Sequence, residues 1–242
     1  MKDTIFTVLN NKMIAKNTYE MVMRGDTEGL ASGGFVNIKL DGFYLRRPIS
    51  VCDFDGDTLT IIYKVVGKGT DKMAQMKGGE ELAVLTGLGN GYDVTKAGDA
   101  PLLIGGGAGV PPMFHLCREL IAAGKKVSVI LGFGAKDEVF YEEKFRALGA
   151  DVFVTTVSGD YGIRGFVTDA LAGLNYSYFY TCGPEPMLKA VYDKSVTSGQ
   201  FSFEERMGCG FGACMGCSCE TKYGNKRICR DGPVLEKEEI IW

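Results

Sequence analysis

Apolar residues fall along this chain in two rhythms, and the change comes near residue 97. From Thr4 to Val94, short runs rich in β-branched and aromatic residues recur as IFTVL, YEMVM, FVNIKL, PISVCDF, LTIIYKVV and ELAVLTGL. Turn pairs such as Gly25-Asp26, Asp41-Gly42 and Asp55-Gly56 separate them. Runs of this length and punctuation predict strands of a small antiparallel barrel. TDKMAQM, following Gly69, starts on Thr/Asp and predicts one or two helical turns.

From Ala100 the rhythm becomes strand, helix, strand. PLLIGG reads as a fully buried strand, MFHLCRELIAAG as a helix stopped by glycine, and KVSVILGF as the next strand. YEEKFRALG, DVFVTTV, FVTDALAG, YSYFYTCG and PMLKAVYDKSVTSG continue the alternation. Such alternation predicts a parallel sheet covered by helices on both faces. A cysteine-rich segment follows, and no internal repeat or low-complexity tract is present. The expected organisation is a β-barrel domain over 1–97, an α/β parallel-sheet domain over 98–200 and a small cysteine-loop domain over 201–242.

Composition narrows the function classes. The chain has 242 residues, 45% of them hydrophobic, with 34 glycines and a net charge of −3. It has no basic run, which argues against nucleic acid or an anionic membrane as partner. PLLIGGGAGVPPMF is too short and too broken by glycine and proline to span a bilayer. MKDTIFTV lacks the basic and apolar regions of a secretory leader. The expectation is a soluble cytoplasmic protein with reduced thiols.

The thiols carry the strongest chemical signal. Cys209, Cys214, Cys217 and Cys229 are spaced C-x4-C-x2-C-x11-C. Thiolates are soft donors, and three on one loop plus a closing fourth suit a [2Fe–2S] core. Gly208, Gly210, Gly212 and Gly216 let the backbone turn N–H groups toward inorganic sulfide. Structural zinc favours two C-x2-C knuckles with few glycines between them, and a disulfide framework requires a secreted chain. Cys219 offers a second register, C-x4-C-x4-C, and is read as a spare thiol beside the ligands. Cys52, Cys117 and Cys182 stand singly among apolar residues and read as small buried hydrophobes.

Four other segments have the composition of phosphate and cofactor sites. Gly105, Gly106, Gly107 and Gly109 lie in GGGAGVPPM, between a buried strand and a helix. Glycines there let backbone approach a pyrophosphate beside the helix N-terminus. Cys182, Gly183 and Pro184, in TCGPEPM, end a later strand at the sheet edge where ligands collect. In the barrel half, Arg46-Arg47-Pro48-Ile49-Ser50 supplies a guanidinium fork, and Gly67-Lys68-Gly69-Thr70 opens a short helix. Arg46 and Arg47 taken alone read as a solvated surface pair.

In this order the motifs resemble the ferredoxin–NADP reductase superfamily, an FAD barrel followed by a nicotinamide domain. With the cysteine spacing and Asp231-Gly232-Pro233, the whole chain is similar to electron-transfer subunits of NAD-linked dihydroorotate dehydrogenases. The resemblance implies FAD on Arg47, Pro48, Ile49 and Ser50, with Arg47 near the pyrophosphate and Ser50 near flavin N5. Ile62, Tyr63, Lys64, Gly69 and Thr70 complete that site. Gly105 to Gly109 and Cys182 to Pro184 then bound the nicotinamide cleft, and Cys209, Cys214, Cys217 and Cys229 hold the cluster. Two departures stand out: Thr86 and Gly87 replace glycine and proline in the family's G-P-L-G-N-G turn, and Cys219 is extra.

The function so implied needs no acid–base constellation in this chain. His115, the single histidine, reads as structural. Dihydroorotate oxidation is expected on a separate FMN-bearing subunit, two of each subunit assembling, with electrons passing through cluster and FAD to NAD for pyrimidine (UMP) synthesis. Asp137 and Glu138, after the second strand of the α/β domain, favour NAD over NADP by repelling a 2′-phosphate. A sulfide dehydrogenase or ferredoxin:NADP oxidoreductase subunit shares this architecture. A flavin redox sensor with a zinc-binding loop is the non-enzymatic alternative.

Overall fold

The computed structural model describes residues 1–242. Its first part contains β1 (Lys2–Ala15), β2 (Thr18–Arg24), β3 (Phe35–Ile38), β4 (Arg47–Asp55), β5 (Thr58–Lys64) and β6 (Glu81–Leu88). They close into a barrel in the order β1-β2-β5-β4-β3-β6, and α1 (Lys68–Ala74) lies between β5 and β6. Alternation sets the two faces. Val36, Ile38, Val51, Leu59, Ile61, Tyr63 and Val84 fill the interior. Phe35, Cys52, Ile62 and Leu88 point outward and join the cores of the next domain.

β1 runs well past the apolar stretch IFTVL. Its first half pairs with β6 from Lys2 to Thr7, and its second half pairs with β2 from Thr7 to Ala15. Backbone pairing holds the polar stretch Asn10-Asn11-Lys12 in the strand, a partner that local hydrophobicity does not reveal.

The second part contains β7 (Leu102–Gly106), α2 (Pro112–Ala122), β8 (Ser128–Phe133), α3 (Glu142–Leu148), β9 (Asp151–Thr156) and β10 (Ile163–Arg164). Then come α4 (Val167–Leu171), β11 (Phe179–Cys182), α5 (Glu185–Lys194) and β12 (Gly199–Ser202). The remainder forms β13 (Ser218–Thr221), β14 (Gly224–Arg227) and β15 (Val234–Glu236). One sheet runs β10-β9-β8-β7-β11-β12-β15, and only the last pairing is antiparallel. Strand order reverses at β7 and β11, which places a ligand crevice beyond their C-terminal ends. The cysteine segment is an excursion from this sheet. It leaves after β12, makes the β13–β14 hairpin and returns as β15. The boundary read at 200 falls within β12. No helix is long and apolar enough to cross a membrane.

Polar contacts fix the barrel to the sheet domain. His115 on α2 stacks on Phe54 at 4.0 Å, and its Nδ1 lies 2.7 Å from Asp53 Oδ1. Arg118 donates to the same carboxylate at 3.2 Å. The single histidine is thereby committed to packing α2 against β4.

Glu20 is the centre of a second tie. It is 4% exposed, accepts from Tyr141 Oη and Lys144 Nζ at 2.6 Å each, and pairs with Lys12 at 3.2 Å. Burial alone would raise its carboxyl, but Lys144, Tyr141 and Lys12 outweigh burial and hold it below the usual 4.5. A carboxylate held low contributes stability that is complete above 4.5 and is lost as pH falls below it. Glu20→Gln should cost about 1.5–3 kcal/mol at pH 7, the range for hydrogen bonds to charged groups. Urea unfolding midpoints should show the gap narrowing below pH 4.5. A gap that stays constant through acid would mean the Glu20 charge is not what holds the interface.

Candidate functional site

The cluster loop brings its thiols together in two pairs. Cys209 and Cys214 are in contact near the surface, and Cys217 and Cys229 are in contact in the interior. Backbone N–H groups of Ala213 and Cys214 donate to Cys209 Sγ at 3.2 and 3.4 Å, and the Cys229 N–H donates to Cys217 Sγ at 3.4 Å. Burial opposes ionisation of Cys209, yet the N–H groups of Cys214, Phe211 and Ala213 and the Cys214 thiol lower it to about 6. Burial and then the neighbouring Cys217 thiol push Cys229 up to about 12. No three metal-binding side chains converge as around a single ion. Two pairs of thiols suit two irons with two thiolates each, which is the donor set of a [2Fe–2S] cluster.

Cys219 hydrogen-bonds to neither pair, although it packs at the edge of the core that holds Cys217 and Cys229. It is on β13, half-buried, and lines a 590 Å³ cavity with Leu235, Ile240 and Trp242. Cys217 is 2% exposed and belongs to the core that contains Cys229. This placement supports the C-x4-C-x2-C register.

Flavin-site residues divide by strand alternation. Pro48 and Ser50 on β4, and Ile62 and Lys64 on β5, share the outer barrel face with Cys52. Arg47, Gly69 and Thr70 gather at the rim. A Cβ on Gly69 would come 2.1 Å from Arg47 Nε, so the bare glycine lets the guanidinium lie on the first turn of α1. Arg47 also stacks on Phe43, 4.7 Å from the ring centre. Thr70 Oγ1 accepts from the Val66 and Gly67 N–H groups at 3.0 and 3.3 Å. Ile49 and Tyr63 face the barrel interior instead. The Tyr63 hydroxyl donates to Asn11 Oδ1 at 2.9 Å, and Asn11 holds the carbonyls of Met73 and Met76 at the end of α1. Tyr63 thus supports α1 from within. Arg46 is committed to Asp3, with contacts of 2.6 and 3.0 Å. Arg47 Nη1 donates to the Leu45 and Arg46 carbonyls at 2.5 and 3.4 Å, and its Nη2 has no protein acceptor. That fork, beside a glycine-opened turn and next to an outward apolar face, fits a flavin dinucleotide.

The two nicotinamide loops meet. Gly105 pairs with Cys182 across β7 and β11. A Cβ on Gly109 would fall 2.1 Å from the Cys182 carbonyl oxygen and 2.5 Å from the Gly183 nitrogen. Gly106, Gly107 and Pro184 border a 520 Å³ cleft that is also lined by Phe133, Thr155, Val157 and Val167. Thr155 is fully buried and its Oγ1 has no partner, leaving a polar group at this cleft for a ligand to satisfy. Gly105 and Gly109 are buried behind the loops, and burial pushes the Cys182 thiol up to about 12.

Glu138 also lines the cleft, held by Lys64 Nζ and the Gly134 N–H at 3.1 Å each. Asp137 instead pairs with Lys16 at 2.9 Å. Phe133, Thr155 and Val157 escaped sequence reasoning because they carry no motif. Their shared signal is position, at the C-terminal ends of β8 and β9.

Comparison with known proteins agrees with this geometry. Residues 204–241 match the iron–sulfur cluster binding domain of dihydroorotate dehydrogenase B, and residues 103–193 match the oxidoreductase NAD-binding domain. The dihydroorotate dehydrogenase B (NAD(+)) electron transfer subunit of Bacillus pumilus is 44% identical, covering 99% of this chain and 98% of that protein. Its counterpart in Fusobacterium nucleatum is 46% identical, covering 99% of each. The solved structure of an NADH-dependent reduced ferredoxin-NADP oxidoreductase aligns with a TM-score of 0.88 at 26% identity, covering 98% of this chain and 90% of that one. A Neisseria gonorrhoeae ferredoxin NADP+ reductase shares the fold, with a TM-score of 0.68 at 17% identity over 80% of this chain and 90% of that one. The chain belongs to the family of dihydroorotate dehydrogenase B (NAD(+)) electron transfer subunits.

Proposed function

We propose that this oxidoreductase subunit links an FMN-bearing catalytic subunit, which oxidises dihydroorotate for UMP synthesis, to NAD through a [2Fe–2S] cluster and FAD. The assembly contains two of each subunit and works in the cytoplasm, where its eight free cysteines stay reduced. Residues 1–97 hold FAD, 98–200 hold the nicotinamide nucleotide and 201–242 hold the cluster. One observation carries the reading. The cluster loop packs on β3, and β3 pairs directly with β4, which bears Pro48 and Ser50.

When bound, FAD exchanges hydride with nicotinamide and single electrons with the cluster, so it belongs between them. The chain's own residues bind and orient. Arg47 and the first turn of α1 receive the flavin pyrophosphate, while Pro48, Ser50 and Ile62 present the face on which the ring rests. Gly105 to Gly109 and Cys182 to Pro184 hold the nicotinamide nucleotide over that face. Cys209, Cys214, Cys217 and Cys229 hold the cluster. His115 is buried between Phe54 and Asp53 and is assigned a packing role. The base for dihydroorotate is assigned to the partner.

The test is anaerobic purification with assay of FAD, iron and labile sulfide, followed by addition of the FMN subunit. The isolated chain should contain about two irons and two sulfides. It should pass electrons from NADH to an artificial acceptor and should not oxidise dihydroorotate. Adding the FMN subunit should create dihydroorotate:NAD activity. Stoichiometric zinc without sulfide would sink the reading. Arg47→Ala should weaken FAD binding by about 1.5–3 kcal/mol, the value of a charge-assisted contact. Full FAD retention at wild-type affinity after dilution and gel filtration would remove Arg47 from the site.

A further inference from the structure

Asn37 is 2% exposed on β3, and its side chain crosses from the barrel to the cluster loop. Its Nδ2 donates to the Cys209 carbonyl at 3.4 Å. Gly210, at φ +80°, lies flat against the same amide, and a Cβ there would come 2.3 Å from Nδ2. Asn37 faces Pro48 in the β3–β4 register. It therefore stands on the same outer face as the flavin motif, one strand away. Arg46, fixed to Asp3, donates to the Asn37 carbonyl at 3.3 Å and braces this point of the strand. Asn37 Oδ1 is buried and has no donor. Leaving such an atom unpaired is costly, and a barrel whose interest was stability alone would favour an apolar residue here.

A second asparagine holds the other end of the loop. Asn90, in the turn after β6, donates through Nδ2 to the Val234 carbonyl at 2.8 Å and to the Asp231 carbonyl at 3.5 Å. Its Oδ1 accepts from the Val234 N–H at 2.9 Å, and its own N–H reaches the Gly232 carbonyl at 2.6 Å. Asn37 meets the segment at its first thiol, and Asn90 meets it just after its last.

Resting on the electron-transfer reading above, we propose that Asn37 and Asn90 are positioning residues that clamp both ends of the cluster loop to the flavin-bearing barrel. The consequence is mechanical and electrostatic. Electron transfer falls steeply with distance; β15 and the buried Cys217 and Cys229 anchor the loop to the sheet domain, and the two asparagines add its ties to the barrel that bears the flavin. The clamp sets that gap without touching either reacting group. Asn37 also fixes the Cys209 backbone, and hydrogen bonds around ligand atoms tune cluster potentials.

The test uses the full chain, purified anaerobically with FAD and cluster loaded. Its readouts are cluster release to a ferrous chelator and the EPR spectrum of the reduced cluster. Asn37→Ala and Asn90→Ala should each retain FAD but release iron about tenfold faster, the lower end for lost support of a metal ligand. Asn37→Ala should also shift the g-values. Asn37→Asp, which keeps the shape but loses the donor and adds charge, should lower the midpoint potential. Asn225→Ala on the exposed hairpin should change nothing. Wild-type release rates and unchanged spectra in both alanine variants would overturn the clamp.

If Asn37→Ala sheds FAD together with the cluster, Asn90→Ala decides, because Asn90 meets the loop beyond its last thiol and away from the flavin motif. Faster cluster loss with FAD retained there upholds the clamp, and joint loss in both variants overturns it by making the asparagines supports of the barrel. A wild-type chain lacking iron and sulfide would instead defeat the electron-transfer reading, a failure visible before any variant is made.

Discussion

Cys217→Ser is expected to abolish the iron–sulfur absorbance and EPR signal, while Cys219→Ser leaves both at wild-type intensity. The two positions are two residues apart on one loop, so the contrast depends on placement. Cys217 is 2% exposed, contacts Cys229 and receives the Cys229 N–H at 3.4 Å. Serine there offers a harder, poorly ionised donor in a buried site, and the interior iron loses half its protein ligands. Cys219 lies on β13 beside the cavity that contains Trp242 and makes no bond to the four other thiols. Coupled dihydroorotate:NAD turnover should fall to background in Cys217→Ser, with NADH still bleaching bound FAD. Cluster loss in Cys219→Ser with retention in Cys217→Ser would reverse the register. Coupled turnover without any cluster would make the loop a docking element.

How far the sequence revealed this site depends on whether a residue's role is local. The barrel strands were legible because each carries alternating apolar positions, and Leu59, Ile61 and Tyr63 follow that alternation inward. The same alternation separates Tyr63, inside, from Ile62 and Lys64, outside, although a motif names all three together. The polar half of β1 was not legible, since Asn10 and Asn11 are held there by pairing to β2. Nor was the return of the cysteine segment to the sheet. β15 is three residues long and owes its strand character to β12. Asn37 belongs to the same class. In FVNIKL it interrupts an apolar run, and only the packed loop shows what the interruption meets. Thr155 is a β-strand threonine by composition, and its orphaned hydroxyl appears only once the cleft is formed.

Gly109→Ala is expected to disable the nicotinamide cleft while leaving FAD and cluster in place. The added Cβ would lie 2.1 Å from the Cys182 oxygen, 2.3 Å from its carbonyl carbon and 2.5 Å from the Gly183 nitrogen. All three are backbone atoms at the end of β11, so no side chain can swing aside, and one of the two loops must move. Gly109 is buried and β7 is paired on both sides, so the displacement should fall on the Cys182–Pro184 loop. That loop closes one wall of the cleft, and a shift of about 1 Å in a positioning element can cost about a hundredfold in rate. Anaerobic rapid mixing with NADH should therefore show flavin reduction slowed about a hundredfold, on the same scale. Chemical reduction of the flavin and onward reduction of the cluster should proceed at wild-type rates. Gly107→Ala is the contrast, because a Cβ there meets nothing within 4 Å and the only penalty is its φ of +52°. Wild-type NADH reduction in Gly109→Ala would show that the contact between the two loops does not hold the nucleotide. A variant that loses FAD as well would show that the contact serves the fold before it serves the cleft.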